Sequence, residues 1–277
     1  MPKLLGYYLT KRWLRRYQKD KSLPSVRAVL LGDYSAPTII LSGIHERREL
    51  DVLSREVFSR IAQRAVALDI GASIGNHASI FAKHFDRVVA FEPNPLIAAV
   101  LRANALDRQF EAVEKGISDS PGTRYFSIPE RDSSISHVTN HPTGTTIEVD
   151  TLDRLAETLG LYDVSFIKID VEEHEAEVLS GGKALLSSKR PVIAMEGLYE
   201  RNPGNGARVR VLLDELGYRY FYRLVPSRWP LFDLTYGTRR SLIPRLIRPE
   251  SPLSLDPIDR IGDEDYRMIV VAAEPLR

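Results

Sequence analysis

Between positions 65 and 95 the chain reads AVALDIGASIGNHASIFAKHFDRVVAFEPNP. An apolar run closes on Asp69, a tight turn follows with Gly71 and Gly75, and a helix-like segment leads to a second apolar run that closes on Glu92. This is a strand–turn–helix–strand unit with an acidic side chain at the carboxyl end of each strand. The glycines let the backbone approach a ligand, and the second carboxylate can accept both hydroxyls of a ribose. Glycines that served only packing would not call for a carboxylate at both strand ends. The pattern points to a bound nucleoside.

Glycine spacing narrows the ligand. A dinucleotide fingerprint is G-x-G-x-x-G, and its second glycine lets a pyrophosphate lie against the backbone. Here Ser73 stands in that place, which argues against NAD or FAD. A phosphate-binding P-loop ends in Gly-Lys-Ser/Thr, and Asn76-His77 does not match it. A nucleoside without a pyrophosphate remains. S-adenosylmethionine fits, because its sulfonium and amino groups are cationic and Asp69 beside the turn favours positive charge.

The rest of the chain alternates strands and helices. Strands are expected at 66–72, 88–94, 110–118, 164–170, 191–197, 218–224 and 267–273. Helices are expected at 46–62, 75–84, 95–106, 152–160, from 171 to about 187, and at 205–216. Residues 28–42 read as short extended pieces. Residues 122–150 read as a two-stranded excursion carrying a polar loop, with no room for a crossover helix. The alternation implies an α/β fold: a mostly parallel, twisted sheet with helices on both faces. The last two strands lack a helix between them, so an antiparallel strand is expected at one edge. Ligands in such sheets sit beyond the carboxyl ends of the strands. Asp69, Glu92, Ser118, Asp170 and Glu196 all fall there, which argues for one active site.

Size and composition agree. The 277 residues suit one large α/β domain with additions. A formal net charge of +1 gives no global basic field for nucleic acid. Without cysteine there is no disulfide framework, thiolate nucleophile or zinc-thiolate site. No apolar stretch is long enough to span a bilayer, and no signal peptide is recognisable, so a cytoplasmic protein is expected. Residues 1–21 are locally basic, with Leu5, Leu9 and Trp13 at helical spacing. They form either a helix packed on the domain by one face or an amphipathic helix in peripheral contact with a membrane.

The ordered series LDIGASIGNH, FEPNP, GISDSPG, VDTLD, FIKIDVEEHEAEVLSGG and VIAMEG resembles the FkbM-type methyltransferases over roughly residues 46–200. The resemblance implies a Rossmann-like class I methyltransferase fold, S-adenosylmethionine as cofactor, and methylation of a hydroxyl oxygen on a sugar, polysaccharide or other secondary metabolite. On that basis residues 1–60 are an N-terminal extension and residues 61–277 the methyltransferase domain. Asp69, Gly71 and Gly75 would form the turn around the methionine portion, and Glu92 would hold the ribose hydroxyls. Ser118 would lie near the adenine and Asp170 by the sulfonium. Ser73, Asn76, His77 and Asn94 complete the expected cofactor set. The family usually carries glycine after its D-V-E triplet, where this chain has Glu173.

Methyl transfer to oxygen needs alignment of donor and acceptor and a group that takes the hydroxyl proton. The candidates are Asp170, His174 and Glu196, with Glu196 orienting His174. His137 and His141 lie in the polar excursion and are candidates to close over the site. Asp170, Glu172, His174 and Glu196 are ligand types that suit Mg²⁺, but nothing in their spacing demands an ion, and no metal site is assigned. The irregular segment 226–263 carries six prolines. It is expected to help form the acceptor pocket through Trp229, Phe232, Tyr236, Arg239 and Arg240. Two other functions compete: an NAD-dependent oxidoreductase or epimerase, which lacks its third glycine and Tyr-x-x-x-Lys pair here, and a non-catalytic nucleoside-binding scaffold at a membrane surface.

Overall fold

The structure is a computed structural model that describes residues 28–30, 35–106, 110–128, 136–139, 141–142, 144–196, 203–226, 252–262 and 266–276. The basic segment 1–21 and the candidates Trp229, Phe232, Tyr236, Arg239 and Arg240 lie outside the described residues.

The first helices are α1 (Ala36–Ser42) and α2 (Arg47–Val52), the latter continuing as a π turn and a 3₁₀ turn to Arg60. Then come β1 (Val66–Ile70), α3 (Asn76–Phe81), β2 (Arg87–Phe91), α4 (Pro95–Asn104), β3 (Glu111–Val113) and β4 (Gly116–Ile117). The excursion holds β5 (Gly122–Ser127), β6 (His137–Thr139) and β7 (Thr146–Asp150). They are followed by α5 (Leu152–Leu159), β8 (Val164–Ile169), α6 (Glu175–Gly181), α7 (Lys183–Lys189), β9 (Val192–Glu196) and α8 (Pro203–Glu215). The chain closes with β10 (Tyr220–Pro226), β11 (Leu253–Ile258) and β12 (Met268–Ala272).

Eight strands form the main sheet in the order β11-β10-β12-β9-β8-β1-β2-β3. The run from β9 to β3 is parallel, β12 pairs antiparallel with both β9 and β10, and β11 pairs antiparallel with β10. The sheet is the expected one, with a correction at its edge. β12 is inserted between β9 and β10, and the outer strand is β11, within the segment expected to be irregular. β11 tolerates Pro257 because an edge strand can leave a ladder position without an N–H.

Three further expectations change. Residues 36–42 are helical rather than extended. Pro37 sits at the helix start and Gly43 closes it in the left-handed region, and these end signals outweigh the β-branched residues between them. The strand expected at 110–118 is split: β3 joins the main sheet, whereas β4 joins a second sheet of order β4-β7-β5-β6. The excursion is thus a small sheet with its own core of Phe126, Ile147 and Val149. The helix expected to run to about 187 breaks at Gly182 into α6 and α7.

Side-chain alternation sorts the strands onto two cores. Leu68, Ile70, Ile167, Ile169, Ile193 and Met195 pack with α5 through α8 on one face. Ala67, Phe166 and Ala194 face the other way, onto residues 44–58 and α3. Phe58 meets Phe81, Phe85 and Phe166 edge-on at 5.6, 5.0 and 4.9 Å. Residues 44–58, which precede the domain start expected from the sequence, therefore share a core with the sheet. No helix among the described residues is long and apolar enough to cross a membrane.

Candidate active site

The strand order reverses between β1 and β8, the place where a doubly wound sheet opens a crevice. A cleft of about 1170 Å³ lies there. Its walls are the 71–74 turn, the ends of β2, β8 and β9, the 44–49 segment and the second sheet.

The turn is shaped by three left-handed residues: Gly71 (φ 79°), Ser73 (φ 49°) and Gly75 (φ 88°). The N–H groups of Gly71 and Ala72 both donate to the Phe91 carbonyl, at 3.0 and 2.9 Å. A Cβ on Gly71 would lie 1.8 Å from the Asp170 carbonyl oxygen, so only glycine fits. The Ser73 N–H, aimed by this turn, donates to Glu92 Oε2 at 3.0 Å, and the Asn94 N–H donates to Oε1 at 2.8 Å. Glu92 is thereby held at the cleft wall, and burial pushes its carboxyl up to about 7.

The same alternation that builds the second core places Asp69, Lys168 and Glu196 on one face at the strand ends, with Asp69 and Lys168 paired in register. Lys168 is 2% exposed. Its ammonium lies 2.9 Å from Asp170 Oδ2 and 3.7 Å from Glu196 Oε1. Burial alone would discharge this lysine, but Asp170, Glu196, Asp69 and Glu46 keep its pKa above the ordinary value. Burial raises Glu196 well above the usual carboxylate range despite Lys168. Across the cleft, His77 Nε2 lies 3.3 Å from Glu46 Oε2 and 4.0 Å from Glu196 Oε1. Burial opposes ionisation of Glu46, yet His77 and Lys168 hold its pKa down at about 2.

The expected site residues divide in two. Gly71, Ser73, Asn76, His77, Glu92, Asp170, His174 and Glu196 line the cleft. Asp69, Gly75, Asn94 and Ser118 are buried behind its wall. Asp69 is fully buried, and burial raises its pKa. Asn94 caps α4, accepting from the Leu96 N–H. Asn76 donates to the His45 carbonyl and accepts from the His45 N–H, both at 3.0 Å, and so fixes the residue before Glu46. Ser118 Oγ shares a 3.0 Å hydrogen bond with His174 Nε2, while His174 Nδ1 faces Glu177 at 3.6 Å. His174 is therefore oriented by Ser118 and Glu177, not by Glu196, and burial lowers its pKa. Among the described residues, the group of three or more possible metal-ligating side chains is Glu46, His77 and Glu196, not the acidic run after β8. His137 sits on β6, whose neighbours Ser136 and Val138 line the cleft, and His141 is exposed.

Sequence reasoning missed Glu46 and Lys168. Lys168 carries a signal: a lone charge inside the apolar run VSFIKID of a strand buried on both faces needs an acidic partner. Glu46 carries none, because only the tertiary path of residues 44–49 brings it to the strand ends.

A family model described as the methyltransferase FkbM domain matches residues 69–220, from the end of β1 to the start of β10. The chain belongs to the FkbM methyltransferase family. The FkbM match contains the 71–75 turn, Glu92, Lys168, Asp170, His174 and Glu196, and leaves Glu46 outside. The chain is 33% identical over 150 residues to the hexuronic acid methyltransferase AglP of Haloferax volcanii, a match that covers 53% of this chain and 62% of that protein. An FkbM methyltransferase structure from Methylobacillus flagellatus covers 68% of this chain and 48% of its own, at 18% identity and a TM-score of 0.42. An O-methyltransferase from Bacillus cereus, solved in complex with SAH, covers 96% of this chain and 100% of its own, at 12% identity and a TM-score of 0.44.

Proposed function

We propose that this protein is an S-adenosylmethionine-dependent O-methyltransferase whose acceptor is a hydroxyl on an acidic sugar. The observation that carries the cofactor is Glu92: a carboxylate at the cleft wall, fixed by two backbone N–H groups, one of them from the glycine turn. Both oxygens keep a lone pair for ribose hydroxyls. Gly71 and Ser73 line the cleft beside the Asp170 carboxylate, which suits the cationic amino-acid tail. The cleft is large enough for cofactor and acceptor together. When bound, the cofactor supplies a methyl group on a sulfonium that departs as a neutral thioether.

Asp170 is the proton acceptor in this reading. It lines the cleft, Lys168 holds Oδ2, and Oδ1 takes no hydrogen bond from a described residue. Asp170 would take the proton of the acceptor hydroxyl as that oxygen receives the methyl group. His174, locked to Ser118, shapes the wall beside it. Arg47, Arg48, Lys115 and Arg267 line the same cleft and suit an anionic acceptor, consistent with the hexuronic acid acceptor named for the Haloferax relative. Trp229, Phe232, Tyr236, Arg239 and Arg240 are proposed to extend this acceptor pocket.

The test is incubation of the full chain with methyl-labelled S-adenosylmethionine and a panel of neutral and uronic-acid oligosaccharides. Label in an acid-stable ether of a uronic-acid sugar is expected. Labelled neutral sugars alone would discard the acidic acceptor. No transfer to any hydroxyl, with tight binding of NAD instead, would discard the methyltransferase.

A further inference from the structure

We propose that Glu46, His77 and Glu196 form a binding site for one divalent transition-metal ion, Mn²⁺ or Zn²⁺, beside the methyl-transfer position. Each side chain offers one donor atom, and the three atoms lie within 4.8 Å of one another. A first-row ion with bonds of about 2.1 Å holds its ligand atoms roughly 3–4 Å apart. Two of the observed separations, 3.3 and 4.0 Å, already fall there.

A second observation points the same way. His77 is 7% exposed, and its Nε2 faces the cleft with Glu46 Oε2 at 3.3 Å and Glu196 Oε1 at 4.0 Å. Glu196 Oε1 is a buried atom that takes no hydrogen bond from a described residue, the Lys168 ammonium standing off at 3.7 Å. A buried carboxylate oxygen without a hydrogen bond is costly unless something occupies the space beside it. The imidazole favours Zn²⁺ over Mg²⁺ or Ca²⁺, which prefer all-oxygen sets, and the two carboxylates also admit Mn²⁺. The three ligands come from separate elements: the turn before α2, α3 and the end of β9. Asn76, one residue before His77, clamps His45, one residue before Glu46. Two of the ligands are thus tied together by their neighbours. An ion here would polarise an acceptor hydroxyl and ease the passage of its proton to Asp170.

This inference deepens the methyltransferase reading, but its test uses the ion alone and no cofactor or acceptor. Full-length protein stripped with chelator is titrated with Mn²⁺, and free Mn²⁺ is followed by electron paramagnetic resonance. One ion per chain with micromolar affinity is expected, and electron spin echo modulation should show an imidazole nitrogen. Glu46→Gln, His77→Ala and Glu196→Gln should each weaken binding at least tenfold while circular dichroism stays native. Glu172→Gln, which removes a cleft carboxylate outside the triad, should not. His77→Ala should also abolish the nitrogen modulation. Absence of binding below about 1 mM with both Mn²⁺ and Zn²⁺, unaltered affinity in the triad variants, or loss on Glu172→Gln would overturn the site. Failure of methyl transfer alone would leave these readouts unmoved.

Discussion

At the scale of single residues, the proposed mechanism assigns binding to Glu92 and chemistry to Asp170. Glu92→Ala removes the ribose acceptor and unties the Ser73 and Asn94 amides. We expect S-adenosylhomocysteine affinity to fall at least tenfold by calorimetry, about 1.4 kcal/mol or more. Asp170→Asn should leave that affinity within about threefold and lower kcat by roughly 10²–10³. Equal losses in both measurements would merge the two roles. Glu173 sits at φ 72° and Glu172 at φ 49°, so the loop after β8 contains two successive left-handed residues. The glycine usual in the family at position 173 would meet this geometry without strain. Glu173→Gly is expected to raise the unfolding free energy by about 0.5–1 kcal/mol in a denaturant titration, and Glu173→Val to lower it by more. What was readable in the sequence at this scale was the residue that ends each strand. Asp69, Glu92, Asp170 and Glu196 sit where the apolar runs stop, because a strand buried on both faces stays apolar until it reaches the crevice. Unreadable were partners fixed only by tertiary contact. Ser118 orients His174 because α6 approaches within the space left by Gly181, where a Cβ would lie 2.0 Å from the Ser118 carbonyl oxygen.

At the scale of elements, the segment ahead of β1 is part of the site. Phe58 anchors it against Phe81, Phe85 and Phe166, and the same segment delivers Glu46 to the cleft. Phe58→Ala should cost about 3–5 kcal/mol in unfolding free energy. The core strands and helices were legible because their apolar periods are long and their ends carry Gly or Pro. The second sheet was legible only as extended chain. Its strands are short and half-exposed, and its pairing of β4 with β7 spans more than thirty positions. The split of the 110–118 strand has no local marker, since Glu114 and Lys115 are as acceptable in a strand as at its break. β11 was hidden by Pro252 and Pro257, which argue against a central strand but not against an edge.

For the whole molecule, the buried carboxyls that build the site and its supports make stability depend on pH. Burial raises Glu175 from an ordinary 4.5 to about 7. The folded chain binds this proton more tightly than the unfolded chain. The stability it contributes is therefore full below about pH 4.5 and is lost as pH rises through about 7. Glu175→Gln removes that dependence. Its unfolding free energy relative to wild type should climb between pH 4.5 and 7, by at most about 3 kcal/mol, and level off above. A difference constant with pH would mean that the carboxyl is ionised in the folded protein. Glu92, also near 7, acts in the same direction, whereas Glu46, held at about 2, contributes stability that is present above about pH 4.5 and lost as pH falls towards 2. The most direct measurement of the central claim is a crystal structure of the full chain with S-adenosylhomocysteine. The ribose hydroxyls are expected on Glu92, the amino-acid tail against the 71–75 turn and the sulfur facing Asp170. A ligand bound elsewhere, or Glu92 turned away from the ribose, would contradict it.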